Sequence, residues 1–416
     1  MITLSALIAA AMSTSSCSPA VAVCKKQPID RTAAVGTKKF EAAVARTTQS
    51  GWVNGNRITT LVNGKEFYPA MLKAIRGATK SITFETYAFV NGKTSREFVN
   101  AFCAKAKSGV KVHIILDGIG ARNIGDVNVQ LLRSAGVSVY FLREVSLLNP
   151  VLSNYRDHRK VMVVDGKIAF TGGCGIAEAW TGDAHTPQHW RETHYRVTGP
   201  VVAQIQHAFQ DNWLKAGGKK LSGNNYFPKL SATGNTRASA FISAPIDKKF
   251  TIPHLYRQVI SSARKSIVIQ NSYVLLDRPL MEEILAARKR GVHVELIVPG
   301  TVTDAWMLRF LSRYQYNALL GAGVHIYEYK PTMLHCKVMV VDGVFSSVGS
   351  ANFDPRSLYI NDESNLNVHD ETFAKEQLKI IARDKQKCQR ILQAPALWNP
   401  LTMPSRAGAG LLFPQL

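Results

Sequence analysis

Two stretches of the chain combine residue types that could act together on one substrate. His158-Arg159-Lys160-Val161-Met162-Val163-Val164-Asp165-Gly166 returns as His335-Cys336-Lys337-Val338-Met339-Val340-Val341-Asp342-Gly343, with a change at a single position. On an extended strand residues i and i+2 share a face, so His158 projects with Lys160, and His335 with Lys337. Asp165 and Asp342 lie an odd number of residues further on, at the strand end before Gly, and read as structural or supporting groups. An imidazole beside an ammonium suits a phosphate. The lysines supply charge to its oxygens, one imidazole can attack phosphorus, and the other can protonate the leaving oxygen. Two such motifs meeting at a domain interface make one complete site, in which fixed cationic donors take the electrostatic role of a divalent metal. A metal ion on these histidines is disfavoured, because the neighbouring lysine repels a cation and no compact His/Asp/Glu cluster surrounds them; neither metal nor cofactor is expected. A single strand histidine would read as a core residue. A matched pair does not.

The elements that must carry these motifs also come twice. Residues 66–78 have the apolar spacing of a helix, 81–90 alternate as a strand, 95–108 read as a helix, 110–116 as a buried strand, 127–135 as a helix and 137–142 as a strand. The second half replays this order: Ala78-Thr79-Lys80-Ser81-Ile82 matches Ala263-Arg264-Lys265-Ser266-Ile267, and Ala135-Gly136-Val137 matches Ala322-Gly323-Val324. The expectation is an α/β protein of two duplicated domains, each a mixed sheet flanked by helices, with the active site between them. The first domain is placed at 52–216, closing on an amphipathic helix over 201–216, and the second at 238–396. A Gly-, Lys-, Ser- and Asn-rich linker covers 217–237, residues 397–416 form a surface tail, and residues 25–51 show no clear pattern.

Lys and Arg number 51 against 29 Asp and Glu, a net charge of +22 spread along the chain, which favours anionic partners such as acidic lipid head groups, nucleic acid or phosphorylated substrates. Six scattered cysteines offer neither a disulfide framework nor a CxxC zinc site, and Cys336 reads as core packing on the sheet face opposite His335 and Lys337. Residues 1–24 read as a signal peptide or lipid-anchor segment, or else as an unstructured start; the apolar run 4–12 is too short to span a bilayer.

The duplicated His-x-Lys-(x)4-Asp motif resembles the signature of the phospholipase D superfamily. The flanking runs Gly349-Ser350-Ala351-Asn352-Phe353-Asp354, Asn361-Asp362-Glu363-Ser364-Asn365 and Gly172-Gly173-Cys174-Gly175, with Trp190-Arg191-Glu192, are similar to its bacterial cardiolipin synthase branch. The resemblance implies a catalytic set of His158, Lys160, Asp165, His335, Lys337 and Asp342. The first-half histidine would form a phosphohistidine and the second-half histidine would act as acid and then base. It further implies that Glu192 orients His158, that Glu363 orients His335, and that Gly173, Ser350 and Asn352 meet the substrate. Gly175 departs from the asparagine usual there, and Glu192 from the more common aspartate. The implied reaction moves a phosphatidyl group to phosphatidylglycerol or a related alcohol. Hydrolysis by a phospholipase D is the alternative, with a nucleic-acid diester behind it. The implied partners are anionic phospholipid and a bacterial membrane surface, met peripherally or through an N-terminal anchor; oligomeric state is not implied.

Overall fold

The computed structural model describes residues 28–144 and 150–394. Residues 1–24, the tail 397–416, Cys17 and Cys24 lie outside them.

The first half contributes β1 (Val53–Val62), β2 (Ser81–Thr86), β3 (Lys111–Asp117), β4 (Ser138–Leu142), β5 (Lys160–Val164), β6 (Ile168–Gly172) and β7 (Thr193–Thr198). The second contributes β8 (Thr236–Ser243), β9 (Ser266–Asn271), β10 (His293–Pro299), β11 (His325–Tyr329), β12 (Lys337–Val341), β13 (Phe345–Gly349), β14 (Glu363–His369) and β15 (Cys388–Ile391). They form one sheet in the order β15-β11-β10-β9-β12-β13-β14-β8-β1-β7-β6-β5-β2-β3-β4. Read outward from the central antiparallel β1–β8 pair, the two arms run 1-7-6-5-2-3-4 and 8-14-13-12-9-10-11, with β15 added at the outer edge of the second, so the duplication in sequence is a duplication in strand order. Within each arm three strands are parallel (β2, β3 and β4; β9, β10 and β11) and the motif strand pairs antiparallel beside them.

The helices are α1 (Lys38–Thr48), α2 (Gly64–Gly77), α3 (Lys93–Lys107), α4 (Asp126–Ser134), α5 (Pro150–Asn154), α6 (Val202–Lys215), α7 (Thr251–Ser262), α8 (Arg278–Lys289), α9 (Trp306–Tyr314), α10 (Tyr316–Gly321), α11 (Pro355–Tyr359) and α12 (Glu371–Lys385). The Lys-Val-Met-Val-Val strands are buried on both faces, as their continuous apolar run requires. On one face Met162 and Val164 pack with Phe67 and Met71 of α2, Phe98 and Phe102 of α3 and Leu132 of α4. Met339 and Val341 pack with Leu255 and Val259 of α7 and Leu280 and Ile284 of α8. On the other face, Val161, Val163, Val338 and Val340 share a single core with Phe209 and Trp213 of α6 and Phe373 and Ile381 of α12. Cys336 lies in that shared core, on the face opposite Met339.

Two local outcomes differ from the sequence expectation. The stretch 25–51 contains α1, capped by the Thr37 hydroxyl accepting from the Phe40 N–H at 3.1 Å. Its apolar face is only Phe40, Ala43 and Val44, too narrow to stand out among lysines and arginines, and it packs into the core of the second half. The strand expected over 81–90 ends at Thr86, where the chain turns and brings Tyr87 and Ala88 into the wall of a cavity.

Candidate active site

His158 and His335 stand two residues ahead of β5 and β12, where the chain leaves the sheet and meets the opposite half. The approach is set by two short backbone bridges, Asp157 to Asp362 and Arg191 to Leu334. The His158 N–H donates to the Asp362 carbonyl at 2.9 Å, and the His335 N–H to the Arg191 carbonyl at 2.7 Å. These bridges place residue 158 beside residue 363, and residue 335 beside residue 192. His158 Nδ1 accordingly lies 2.9 and 3.1 Å from the two Glu363 oxygens, and His335 Nδ1 lies 2.5 Å from Glu192 Oε2. The pairing expected from sequence, Glu192 with His158 and Glu363 with His335, is therefore corrected: each half orients the imidazole of the other. In both pairs the carboxylate engages Nδ1 and Nε2 is turned to other partners; that of His335 has the Lys337 ammonium 3.2 Å away.

The two carboxylates are supported differently. Glu363 accepts from the Ser350 hydroxyl at 2.5 Å and the Ser357 hydroxyl at 2.7 Å. Burial works to raise its pKa, but the His158 ring, Lys160 and the Ser350 hydroxyl outweigh it and hold Glu363 below the usual carboxylate value. Glu192 has Gly173 at the position of Ser350, and an added Cβ there would come within 2.3 Å of Glu192 Oε2. The Glu192 carboxylate receives the Thr193 N–H at 2.8 Å. Burial dominates, and although Lys337 and that N–H oppose it, Glu192 is pushed up to about 7. Burial also lowers both imidazoles, His335 well below its ordinary value with Lys337, Lys160 and His158 adding to the effect. One half-site thus pairs a neutral imidazole with an ionised carboxylate; the other holds a carboxyl that exchanges its proton near neutrality.

Gly173 and Ser350 were expected at the substrate. They lie behind the carboxylates instead, Ser350 as a donor and Gly173 as the small residue that gives Glu192 room. Asn352 does line the cavity, and its Oδ1 is buried without a partner among the described residues, as is that of Asn361. An Asn at Gly175 would have no such space: its Cβ would meet Ala88 at 2.8 Å and the Trp180 ring at 3.2 Å. The indole fills the place of the amide.

Lys160 and Lys337 reach back to the carbonyls of His158 and His335, each at 2.6 Å, and Lys337 also donates to Ser272 Oγ at 2.6 Å. Burial, with Lys337 reinforcing it, brings Lys160 down to about 7 against the pull of Glu363. Asp165 and Asp342, grouped with the catalytic set by resemblance, stand off the cavity and are corrected to a structural role. Each adopts a left-handed backbone, φ 54°. The Asp165 carboxylate accepts the N–H groups of Thr79, Lys80 and Ser81, and that of Asp342 those of Arg264, Lys265 and Ser266, all within 3.1 Å. They tie the end of the motif strand to the start of β2 and β9.

His158, Lys160 and His335 open into one cavity of about 840 Å³. Trp180 and Trp190 wall His335, with ring centroids 5.3 and 5.1 Å away, and Tyr87 lies edge-on to His158 at 5.3 Å. Val90, Ile119, Ala177 and Leu308 make other wall segments apolar, while Arg156, Arg356, Asp304 and Glu178 bring charge. Of these wall residues only Trp190 belongs to a run singled out in the sequence. Trp190 adjoins Arg191-Glu192 and was readable as part of that run, but Tyr87, Trp180 and Leu308 carry no spacing signal and reach the cavity through the fold alone. Among the described residues, the His/Glu group close enough to share a cation is His293, Glu295 and His325, none of which lines the cavity, and Lys385 already pairs with Glu295 at 2.8 Å.

The two stretches that bring these histidines, lysines and carboxylates together, residues 71–213 and 256–385, each match a family described as "Cardiolipin synthase, PLD-like domain". The chain belongs to this family. Among curated relatives, cardiolipin synthase 2 of Bacillus cereus is 33% identical over 315 residues, covering 75% of this chain and 61% of the relative. The chain thus spans less than two thirds of that protein's length. Cardiolipin synthase of Clostridium perfringens is 30% identical over 350 residues, 82% of this chain and 73% of the relative. Among solved structures, phosphatidylserine synthase of Haemophilus influenzae superposes with a TM-score of 0.67 over 90% of this chain and 96% of that one, at 12% identity. That likeness concerns the fold of the PLD-like domain, two duplicated α/β units in one sheet.

Proposed function

We propose that this member of the PLD-like family is a phosphatidyltransferase of the cardiolipin synthase type, moving a phosphatidyl group to phosphatidylglycerol or a related alcohol through a phosphohistidine. The observation that carries the reading is the reciprocal pairing of His158 with Glu363 and His335 with Glu192 around one part-apolar cavity. His158, neutral and held at Nδ1 by an ionised carboxylate, presents Nε2 as the nucleophile. His335, paired with a Glu192 carboxyl that titrates near 7, is the acid for the leaving oxygen and then the base for the incoming hydroxyl. Lys160 and Lys337 turn from the backbone carbonyls to the phosphate oxygens as charge develops there. The unpaired buried amide oxygens of Asn352 and Asn361 suit hydroxyl donors, which favours an alcohol acceptor. The surplus of basic residues suits an anionic lipid and a peripheral place on a bacterial membrane. Among the described residues no helix is long and apolar enough to cross a bilayer.

The test is to incubate the protein with phosphatidylglycerol vesicles without added metal and resolve the products. Cardiolipin and glycerol are expected. Phosphatidic acid as the main product would favour the phospholipase D alternative, and cleavage of single-stranded DNA without lipid turnover would overturn both lipid readings.

A further inference from the structure

Helix α9 opens on an exposed aromatic side chain beside the cavity. Its arginines are drawn to strand β11: Arg309 lies 2.8 Å and Arg313 3.3 Å from the Glu328 carboxylate, with side chains 19% and 23% exposed. Its first residue, Trp306, is 68% exposed, and Leu311 is the helix's one buried residue. Met307 and Phe310 adjoin Trp306 on the helix surface and are half-buried. The Phe310 and Tyr314 rings meet edge to face at 5.2 Å.

The place of this helix points to what covers it. Leu308, within it, and Asp304, just before it, line the catalytic cavity. A second apolar strip stands near the first-half wall: Val127 and Leu131 of α4 share a face and are 70% and 50% exposed. Between them Asn128 Nδ2 donates to Asn91 Oδ1 at 3.1 Å, and Asn91 also lines the cavity. Leu152, exposed on α5, precedes the cavity-lining Ser153. Four of the six large apolar side chains exposed among the described residues (Val127, Leu131, Leu152, Trp306; Leu214 and Leu392 being the others) therefore sit on segments that flank one opening. The protein that bears them carries a net charge of +22.

We propose that α9 and the exposed edge of α4 form a docking surface for an anionic phospholipid bilayer, with Trp306 seated among the head groups and the cavity mouth held against the lipid. The proposal rests on the reading of the substrate as a phospholipid, and gives that substrate an entry route that avoids water. Tryptophan suits the boundary between head groups and acyl chains, and the cationic surface supplies long-range attraction to acidic lipid.

The full chain is tested by co-sedimentation with vesicles of phosphatidylglycerol and phosphatidylethanolamine, against Trp306→Ala and the double variant Val127→Ser/Leu131→Ser. Each is expected to weaken partitioning roughly tenfold, while turnover of a short-chain, monomeric phosphatidylglycerol stays at the wild-type rate. In the intact protein, brominated acyl chains should quench a fluorescence component that Trp306→Phe removes, a readout independent of any folding defect in the variants. Unchanged partitioning together with unquenched Trp306 overturns the proposal. So does a variant that loses self-association but keeps vesicle binding, since the face would then join two copies. Vesicle binding through Trp306 with no lipid turnover would leave the surface standing and sink the catalytic reading instead.

Discussion

The two histidines differ less in themselves than in the carboxylates behind them, and separate experiments follow for each. Glu363→Gln should impair formation of a phosphorylated enzyme by about 10²–10⁴-fold, the range of a lost acid–base or orienting group. Glu192→Gln should slow formation less, through weaker protonation of the leaving group, and should slow discharge as well, so that the intermediate builds up. Rapid-quench trapping of labelled phosphatidyl groups distinguishes the two, and equal loss of trapping in both variants would remove the assigned division of labour. Glu192 also predicts a pH dependence of stability. Its folded pKa, raised to about 7 by burial, exceeds the unfolded value, so the folded state binds more protons between the two. The stability it contributes is present below the unfolded pKa and is lost as pH rises through 7. Glu192→Gln should gain thermal stability relative to wild type between pH 5 and pH 8, and a flat difference in melting temperature across that range would contradict the origin given for the shift. At this scale the histidines, the lysines and the off-face position of the aspartates were legible in the spacing of the repeat. The crossed carboxylates were not, because the partners are 205 and 143 positions apart and are joined by backbone bridges that local periodicity does not encode.

Asp165 and Asp342 act on elements. Each collects three N–H groups from the strand start beside its motif strand, and each sits in a left-handed conformation that Asp tolerates better than most residues. Asp165→Ala should lower unfolding free energy by about 2–4 kcal/mol, through unsatisfied donors and backbone strain. The folded fraction should turn over substrate within about threefold of wild type. Denaturant titration and active-site-normalised rates measure the two, and a large loss of turnover at unchanged stability would return Asp165 to the chemistry. The alternation of strands and helices was readable because buried parallel strands are short apolar runs between amphipathic helices. The helix α1 was not, since only Phe40, Ala43 and Val44 mark the apolar face that docks it on a distant half. The premature end of β2 was equally silent, as Tyr87 and Ala88 continue an apolar, aromatic pattern while serving a cavity wall.

Across the whole molecule one core runs behind both halves, and buried ion pairs stitch them together: Arg143 with Asp362 at 2.5 Å and Arg191 with Asp384 at 2.8 Å. The duplicated units should therefore melt in a single calorimetric transition, with equal van't Hoff and calorimetric enthalpies, although the chain is long enough for two independent domains. Two resolved transitions would mean that the shared face contributes little. The duplication itself was plain in the sequence; that its halves fuse into one fifteen-stranded sheet was not, because the joining pair β1–β8 lacks the repeat's apolar signature and has an irregular register between Val53 and Asn56. The reciprocal pairing has a consequence in time as well as in space. Glu363 lies on β14, 205 positions after His158, so His158 waits for its partner until the second half of the duplication has left the ribosome. A nascent or prematurely terminated chain would carry the nucleophile without the group that readies it. On the proposed mechanism the order of synthesis is thus a built-in delay, which leaves His158 unready until the two halves have met.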